Sequence, residues 1–248
     1  MPEKKRRAHQ LLLEFPAQPR YSFSNFIVSE GSEFAVTAAK QICISAPFNT
    51  LFISGDKGLG KTHLLMSIGN HVGENFPDKK ALYVDCDDFV RGIEKGRANE
   101  VERTVDQILQ ADYFLLDNID RISNHRSSQE KLYSIYNALT DREKVIVFAG
   151  PQTPDKLSAV QDYLTSRFQW GIIVQLNPID DHTTAKIIKK LNNDLGLEIP
   201  DGIISFLLSR IPRDFQSIHN AVSLINQESY IQKKKVTRSL VREALELL

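Results

Sequence analysis

The sequence predicts an α/β fold of the P-loop type, with a parallel five-stranded sheet, flanking helices and a small C-terminal helical lid domain. An apolar run at residues 50–54 leads directly into GDKGLGKT at 55–62 and then into a helical pattern. Further short apolar runs alternate with helical patterns as far as residue 176, which favours parallel strands joined by helices. Beyond Asn177 only helical patterns remain. The predicted domains are an N-terminal tail at 1–20, a nucleotide-binding base at 21–177 and a lid at 178–248.

Each strand of the base is predicted from a short apolar run. The run at residues 112–117 is almost entirely apolar, as expected for a central parallel strand that is covered on both faces. The five predicted strands lie at residues 50–54, 81–85, 112–117, 144–149 and 171–176.

Helices are predicted where apolar residues recur every three or four positions. Leu132, Ile135 and Leu139, for example, share one face of the stretch at 127–139. In the base, helices are predicted at 33–46, after Gly60, and at 88–95, 99–110 and 127–139. In the lid, they are predicted at 180–195, 202–210, 214–231 and 238–248.

Composition narrows the functional classes. The 31 basic and 31 acidic residues balance, so the molecule has no general attraction for nucleic acid or acidic surfaces. No apolar run approaches the roughly 20 residues that cross a bilayer, and the basic N-terminus lacks the apolar core of a secretory signal. Cys43 and Cys86 have no metal-binding spacing and are interpreted as core residues rather than a disulfide. A cytoplasmic protein with no membrane partner is expected.

The sequence at residues 55–62 has the spacing of a phosphate-binding loop. Gly55, Gly58 and Gly60 let backbone N–H groups curl around phosphates, and the following helix adds the positive end of its dipole. Lys61 can reach the β- and γ-phosphates, and the Thr62 hydroxyl can ligate Mg²⁺. The alternative is a glycine-rich turn with a spare lysine, which the preceding strand and following helix disfavour. We therefore expect ADP or ATP, with Mg²⁺, at this loop.

The predicted strand at 112–117 ends in Asp117, whose carboxylate can hold Mg²⁺ together with Thr62. The alternative is a strand that merely ends in aspartate. Many such ATPases carry a second carboxylate directly afterwards to orient the attacking water. Here that residue is Asn118, an amide that cannot act as a base, and Asp120 is expected to point elsewhere.

Two arginines are candidates for action on a phosphate group. Arg167 lies just before the last predicted strand of the base, where a module can present a guanidinium to a neighbour's γ-phosphate. The alternative is a local salt bridge. Arg213 lies at the start of a lid helix and can reach back to the phosphates, or it is a solvated arginine at a helix start. Trp170, close to Arg167, is interpreted as a core anchor.

Several motifs together resemble the AAA+ core of the DnaA family of bacterial replication initiators, over about residues 20 to 248. They are GLGKTHLL at 58–65, RSSQE at 126–130, YNAL at 136–139, SRFQWG at 166–171 and YSFSNFIV at 21–28. The resemblance implies that Arg167 is an arginine finger acting in trans and Arg213 the lid arginine called sensor 2. It also implies that Phe26 lies in a segment that runs past the adenine. Asn118 and His63 are counted with the nucleotide-binding candidates, although packing or capping on its helix is the plainer role of His63.

Two segments are more similar to the Hda branch of this family, whose members inactivate the initiator. One is DNID at 117–120, and the other is QLLLEF at 10–15. The second resembles the Gln-Leu-x-Leu-x-Phe peptide by which Hda-type proteins bind the replication sliding clamp. The alternative is an N-terminal strand or helix packed on its own domain. The clamp-binding residues that the resemblance implies are Gln10, Leu11, Leu13 and Phe15.

The resemblance therefore implies a negative regulator that binds adenine nucleotide, docks on the DNA-loaded clamp and promotes hydrolysis of DnaA-bound ATP. DNA would be contacted indirectly, through the clamp. Asn118, and Pro151 where the family usually carries a polar sensor residue, argue against vigorous ATP turnover by this chain alone. No helix-turn-helix segment follows the lid, which argues against sequence-specific DNA reading. A self-hydrolysing loader or adaptor ATPase that contacts DNA, a DnaA-like recruitment factor and self-association stay open.

Overall fold

The described strands form one sheet. The computed structural model describes residues 21–44, 48–246 and, for the backbone alone, 12–14. The strands are β1 (Leu12–Glu14), β2 (Thr50–Ser54), β3 (Ala81–Asp85), β4 (Tyr113–Asp117), β5 (Val145–Gly150) and β6 (Ile172–Gln175). Their spatial order is β1-β3-β4-β5-β2-β6. The five strands from β2 to β6 are parallel, which confirms the predicted sheet, and β1 adds an antiparallel strand beside β3.

Helices alternate with the strands along the chain, and the part of the chain described after β6 is helical. They are α1 (Glu33–Ile44), α2 (Lys61–Asn75), α3 (Cys86–Lys95), α4 (Ala98–Leu109), α5 (Arg126–Thr140), α6 (Asp162–Phe168), α7 (Asp181–Leu195), α8 (Asp201–Leu208), α9 (Phe215–Gln232) and α10 (Arg238–Glu246). Helix α6 was not among the predicted elements. Within the described residues, no helix is long and apolar enough to cross a membrane.

The chain divides into two compact units, and each has its own core. Within the described residues, the sheet unit comprises 12–14, 21–26, 34–44, 48–55 and 61–176, and the helical unit comprises 27–33, 56–60 and 177–246. All five residues of β2 are buried, as the uninterrupted apolar run predicted. In the helical unit, α7 to α10 enclose a second apolar cluster that includes Ile188, Ile218 and Val241.

Three phenylalanines fix the position of α6 in the sheet unit. Phe168 packs with its ring centroid 5.8 Å from that of Phe52 in β2 and 4.6 Å from that of Phe148 in β5. Leu164, one turn earlier on the same face of α6, is also buried. This apolar face anchors the short helix on the sheet, so the intervening Arg167 has a defined backbone position.

Candidate nucleotide and partner sites

The phosphate-binding loop follows β2, as its sequence predicted. In the sheet unit, the Lys61 Nζ donates a hydrogen bond to the carbonyl oxygen of Gly55 at 2.6 Å. In the helical unit, Gly58 has φ of 83°, a backbone conformation that favours glycine. A Cβ at Gly58 would lie 2.7 Å from the Asp214 Oδ1, so this position requires glycine for space as well as for conformation.

Asp117 stands at the end of β4 and collects three hydrogen bonds. The Thr62 hydroxyl donates to its Oδ2 at 2.6 Å, the Tyr83 hydroxyl donates to the same oxygen at 3.1 Å, and the Asn118 N–H donates to Oδ1 at 2.9 Å. Burial raises the pKa of Asp117, although these hydrogen bonds oppose the rise. Burial and the charges of Asp117 and Asp85 raise the pKa of Tyr83 in turn, which keeps its phenol a donor.

These oxygens fit the expected magnesium site. Thr62 and Asp117 are already within hydrogen-bond distance of each other, and both present the hard oxygen ligands that Mg²⁺ prefers. Mg²⁺ usually takes one or two protein ligands and completes its shell with phosphate oxygens and water. Thr62 and Asp117 would therefore hold the ion, which would neutralise phosphate charge. Sequence reasoning missed Tyr83, whose partner lies on the neighbouring strand.

Asn118 is directed away from a water-activating role. Its backbone is left-handed, with φ of 55°, and its side-chain amide donates to the Asp85 Oδ2 at 2.7 Å. The other oxygen of Asp85 accepts from the Asp87 N–H and caps α3. Asp85 and Asp117 are neighbours in the register of β3 and β4, so Asn118 links the ends of these strands. Its side-chain amide is therefore occupied by a structural hydrogen bond to Asp85.

The predicted adenine-side segment lies against the helix that begins with Lys61. The rings of Tyr21 and Phe26 each meet the His63 imidazole edge-on, with centroids 5.3 Å away. The His63 Nε2 lies 3.0 Å from the Ser22 carbonyl oxygen, and the Asn70 side chain donates to the Tyr21 carbonyl oxygen at 2.7 Å. His63 therefore holds residues 21–26 on α2, which agrees with the plainer packing role.

Arg213 is held by an ion pair within the helical unit. Its Nε and Nη2 lie 2.7 and 2.6 Å from the Asp181 Oδ1. The next residue, Asp214, caps α9 by accepting from the Ser217 N–H, and the Phe215 N–H donates to the Gly58 carbonyl oxygen at 2.9 Å. Within the helical unit, the start of α9 is thus bonded to Gly58. To contact phosphate as sensor 2, the Arg213 guanidinium would have to exchange Asp181 for the phosphate.

Arg167 has a different environment from Arg213. Its Nε donates to the Asn137 Oδ1 at 3.1 Å, and its guanidinium carbon lies 3.9 Å from the centroid of the Trp170 ring and 5.5 Å from that of Tyr133. Within the part of the chain that the structure describes, no carboxylate forms a salt bridge with Arg167. The local salt bridge considered from the sequence is therefore absent there, and neutral groups hold this cation.

Trp170 is not the core anchor that the sequence suggested. The residue is 66% exposed, because Phe168 fills the apolar space between α6 and the sheet. Tyr163 is 36% exposed, and its ring meets that of Tyr133 edge-on at 4.9 Å. A large aromatic residue was assigned to the core from its type alone, and the helix that directs it outward was not predicted.

The predicted clamp-binding peptide is only partly described. Gln10, Leu11 and Phe15 lie outside the described residues. Leu13 belongs to β1, where its backbone pairs with Tyr83 of β3. The alternative that the sequence left open, an N-terminal strand on its own domain, thus applies to three residues of this segment.

Comparisons with known proteins agree with this architecture. Residues 17–175 match the family model of the bacterial DnaA ATPase domain, and residues 181–245 match that of the Hda lid domain. The DnaA replication initiator of Limosilactobacillus reuteri is 31% identical over 236 residues, which are 94% of this chain and 54% of that protein. The chain spans about half the length of the curated relatives it matches.

Solved structures give the same result. Domain III of the Thermotoga maritima replication initiation protein DnaA has a TM-score of 0.85 and 32% identity, covering 94% of this chain and 98% of that one. AMPPCP-bound DnaA from Aquifex aeolicus has a TM-score of 0.78 and 30% identity, covering 87% of this chain and 68% of that one. The sheet, the phosphate loop and these matches together establish that the chain belongs to the DnaA family of AAA+ ATPase domains, with a lid of the Hda type.

Proposed function

We propose that this protein is an Hda-like negative regulator of replication initiation, which binds an adenine nucleotide and promotes hydrolysis of ATP held by DnaA. The observation that carries the proposal is the environment of Arg167. A buried helix face fixes its backbone, and its guanidinium contacts an amide and aromatic rings rather than any described carboxylate. Its charge is thus available to a partner's γ-phosphate, where an arginine supplied in trans accelerates hydrolysis by roughly 10³-fold or more.

The protein's own nucleotide has a supporting role in this proposal. Lys61, Thr62 and Asp117 supply the cation and the oxygen ligands that ADP or ATP with Mg²⁺ requires, and a DnaA relative was solved with AMPPCP. Asn118 binds Asp85 and leaves no carboxylate next to Asp117 in the sequence. We expect the nucleotide to persist on this chain while catalysis takes place on the partner's.

Clamp binding through residues 10–15 is the third part of the proposal. A glutamine that bonds backbone and apolar side chains that fill a pocket form a short anchor peptide. Such an anchor would concentrate the regulator on clamp-loaded DNA. DNA contact would then be indirect.

The proposal is tested by the hydrolysis rate of ATP pre-bound to DnaA, with the regulator added in the presence and absence of DNA-loaded clamp. We expect the parent to accelerate hydrolysis with loaded clamp and Arg167→Ala to abolish the acceleration while retaining fold, nucleotide binding and clamp binding. Arg103→Ala, which removes an exposed arginine of α4, is the matched control and should behave as the parent. Full stimulation by Arg167→Ala would refute the mechanism.

The same assay, together with a measurement of ATP hydrolysis without DnaA, separates the alternatives that the sequence left open. A self-hydrolysing loader or adaptor would turn over its own ATP rapidly without DnaA. A recruitment factor would bind DnaA and leave its hydrolysis rate unchanged.

A further inference from the structure

We propose that Trp170 is the positioning residue for Arg167: its exposed ring holds the guanidinium flat and ready for a partner's phosphate. This inference rests on the proposed function, because it concerns how the arginine finger is presented. A free arginine side chain samples many rotamers and would have to be ordered when the partner binds. A finger that is held in place before docking avoids this ordering.

The contact distances support stacking. The Arg167 guanidinium carbon lies 3.9 Å from the centroid of the Trp170 ring, well within the range of about 6 Å for cation–π attraction, in which tryptophan is the best partner. The Tyr133 ring centroid lies at 5.5 Å, and its hydroxyl accepts from the Arg167 Nη2 at 3.5 Å. Hydrogen bonding to Asn137 and the Arg167 charge lower the pKa of Tyr133, which fits the same arrangement.

Aromatic stacking suits an arginine finger better than a salt bridge does. A stacked ring uses the face of the guanidinium, whereas phosphate oxygens bind the N–H donors along its edge. The ring also carries no net charge, so it does not compete with phosphate for the cation. Arg213 illustrates the opposite case, because Asp181 occupies both its Nε and Nη2. Of the edge donors of Arg167, Nε is bonded to Asn137, and the contact of Nη2 among the described residues is the long one with Tyr133.

Its exposure makes Trp170 a suitable position for substitution. Because the residue is 66% exposed, replacing it removes little buried apolar surface. Trp170→Leu keeps an apolar side chain and removes the aromatic ring, whereas Trp170→Phe keeps a smaller ring. Tyr230→Leu removes an aromatic residue of α9 that is 83% exposed and serves as the matched control.

The experiment measures DnaA-ATP hydrolysis against regulator concentration for each variant, with loaded clamp. We expect Trp170→Leu to lower the maximal stimulated rate by about 10-fold, since small misplacement of a catalytic group is costly. The concentration that gives half-maximal stimulation should stay within about two-fold of the parent, because positioning rather than docking is lost. Trp170→Phe should recover much of the rate, and Tyr230→Leu should equal the parent.

A second measurement follows the arginine directly. The order parameter of the Arg167 Nε–H bond, measured by NMR on the isolated regulator, should fall in Trp170→Leu and recover in Trp170→Phe. Unchanged order would overturn the inference, as would an unchanged maximal rate, or a raised half-maximal concentration with the rate intact. Arg167→Ala separates the two hypotheses. If it stimulates as the parent does, the proposed function fails; if it is inactive while Trp170→Leu is fully active, only the positioning role fails.

Discussion

Among individual residues, the buried carboxylate of Asp117 should make Mg²⁺-dependent nucleotide binding sensitive to pH. Burial raises its pKa above the ordinary value of 3.8, and Mg²⁺ requires the ionised form. We therefore expect the Mg²⁺-dependent part of ADP affinity to fall as the pH is lowered from neutral. The fall should begin at a higher pH than the protonation of an ordinary aspartate would cause. Titration with a fluorescent ADP analogue, with and without Mg²⁺, measures this part. Asp117→Asn is the control, because protonation of the ADP phosphates affects it as it affects the parent. Its ADP affinity should show no Mg²⁺ dependence at any pH.

The same shift has the opposite sign for stability. The folded chain holds the Asp117 proton more tightly than the unfolded chain, so the contribution is fully present below pH 3.8. It is lost as the pH rises through the folded pKa. Ionisation of Asp117 thus destabilises the ligand-free fold, a cost that Mg²⁺ would offset if it bound there. In the binding experiment, a Mg²⁺-dependent part of ADP affinity that stayed constant down to pH 3.8, the ordinary pKa of aspartate, would contradict the raised pKa of Asp117.

The members of the candidate nucleotide site were predictable only where chain order brings them together. Lys61 and Thr62 are the last residues of the loop sequence and the first of α2, and Asp117 ends a run that is recognisable as a buried strand. The Tyr83 hydroxyl contacts Asp117, and Asp85 accepts from Asn118, across the pairing of β3 with β4. The register of this pairing cannot be read from the sequence of either strand. Trp170 was misassigned because its type suggests burial, whereas its position after α6 decides its exposure.

For secondary-structure elements, length decided what could be predicted. The strand β2 is a continuous apolar run with a loop motif after it, and its predicted limits are those observed. Helix α6 has seven residues and only two buried ones, Leu164 and Phe168, so it offers barely two turns of periodicity. Strand β1 has three residues, and its partner β3 lies far along the chain. Such short elements owe their stability to the surface or strand with which they pair rather than to their own sequence pattern.

A prediction also follows for the segment at residues 10–15, which includes β1. Leu13→Ala with Phe15→Ala should abolish binding to purified clamp, because two apolar anchors are lost. Thermal stability should fall by less than about 2–4 °C, the shift expected for about 1 kcal/mol in a chain of this size, since the described part of β1 pairs with β3 through three residues. Clamp binding by surface plasmon resonance and a melting curve measure both quantities.

The sequence offers a matched control for this test. Leu12→Ala with Glu14→Ala changes the two variable positions of the peptide pattern within the same strand and should retain clamp binding. If both double variants bind the clamp as the parent does, the peptide is a structural strand and not an anchor. If both lose stability strongly, the pairing of β1 with β3 matters to the fold itself.

For the whole molecule, the proposed division of labour between this chain and DnaA predicts a nucleotide-binding protein that is a poor ATPase alone. A partner-directed regulator needs its own site for binding and needs only one cation for the partner's chemistry. The Asp117 carboxylate could ligate Mg²⁺, but the Asn118 amide is bonded to Asp85. Pro151 follows β5, where the resemblance implied a polar sensor residue. In single-turnover measurements without DnaA, we expect ATP hydrolysis at least about 100-fold slower than the roughly 1 s⁻¹ at the low end of ordinary enzymes.

Lys61→Ala tests whether a nucleotide bound to this chain, even if it is hydrolysed slowly, affects the stimulation of DnaA-ATP hydrolysis. It should weaken ADP and ATP binding, because the β-phosphate loses a strong local cation. Lys57→Ala changes an exposed lysine of the same loop at a variable position of the motif and should bind normally. If nucleotide binding orders the regulator for docking, Lys61→Ala will also stimulate DnaA-ATP hydrolysis less, and excess ADP will partly restore it. Rapid intrinsic turnover in the parent, removed by Lys61→Ala but not by Lys57→Ala, would instead identify a self-hydrolysing ATPase and overturn the proposed division of labour.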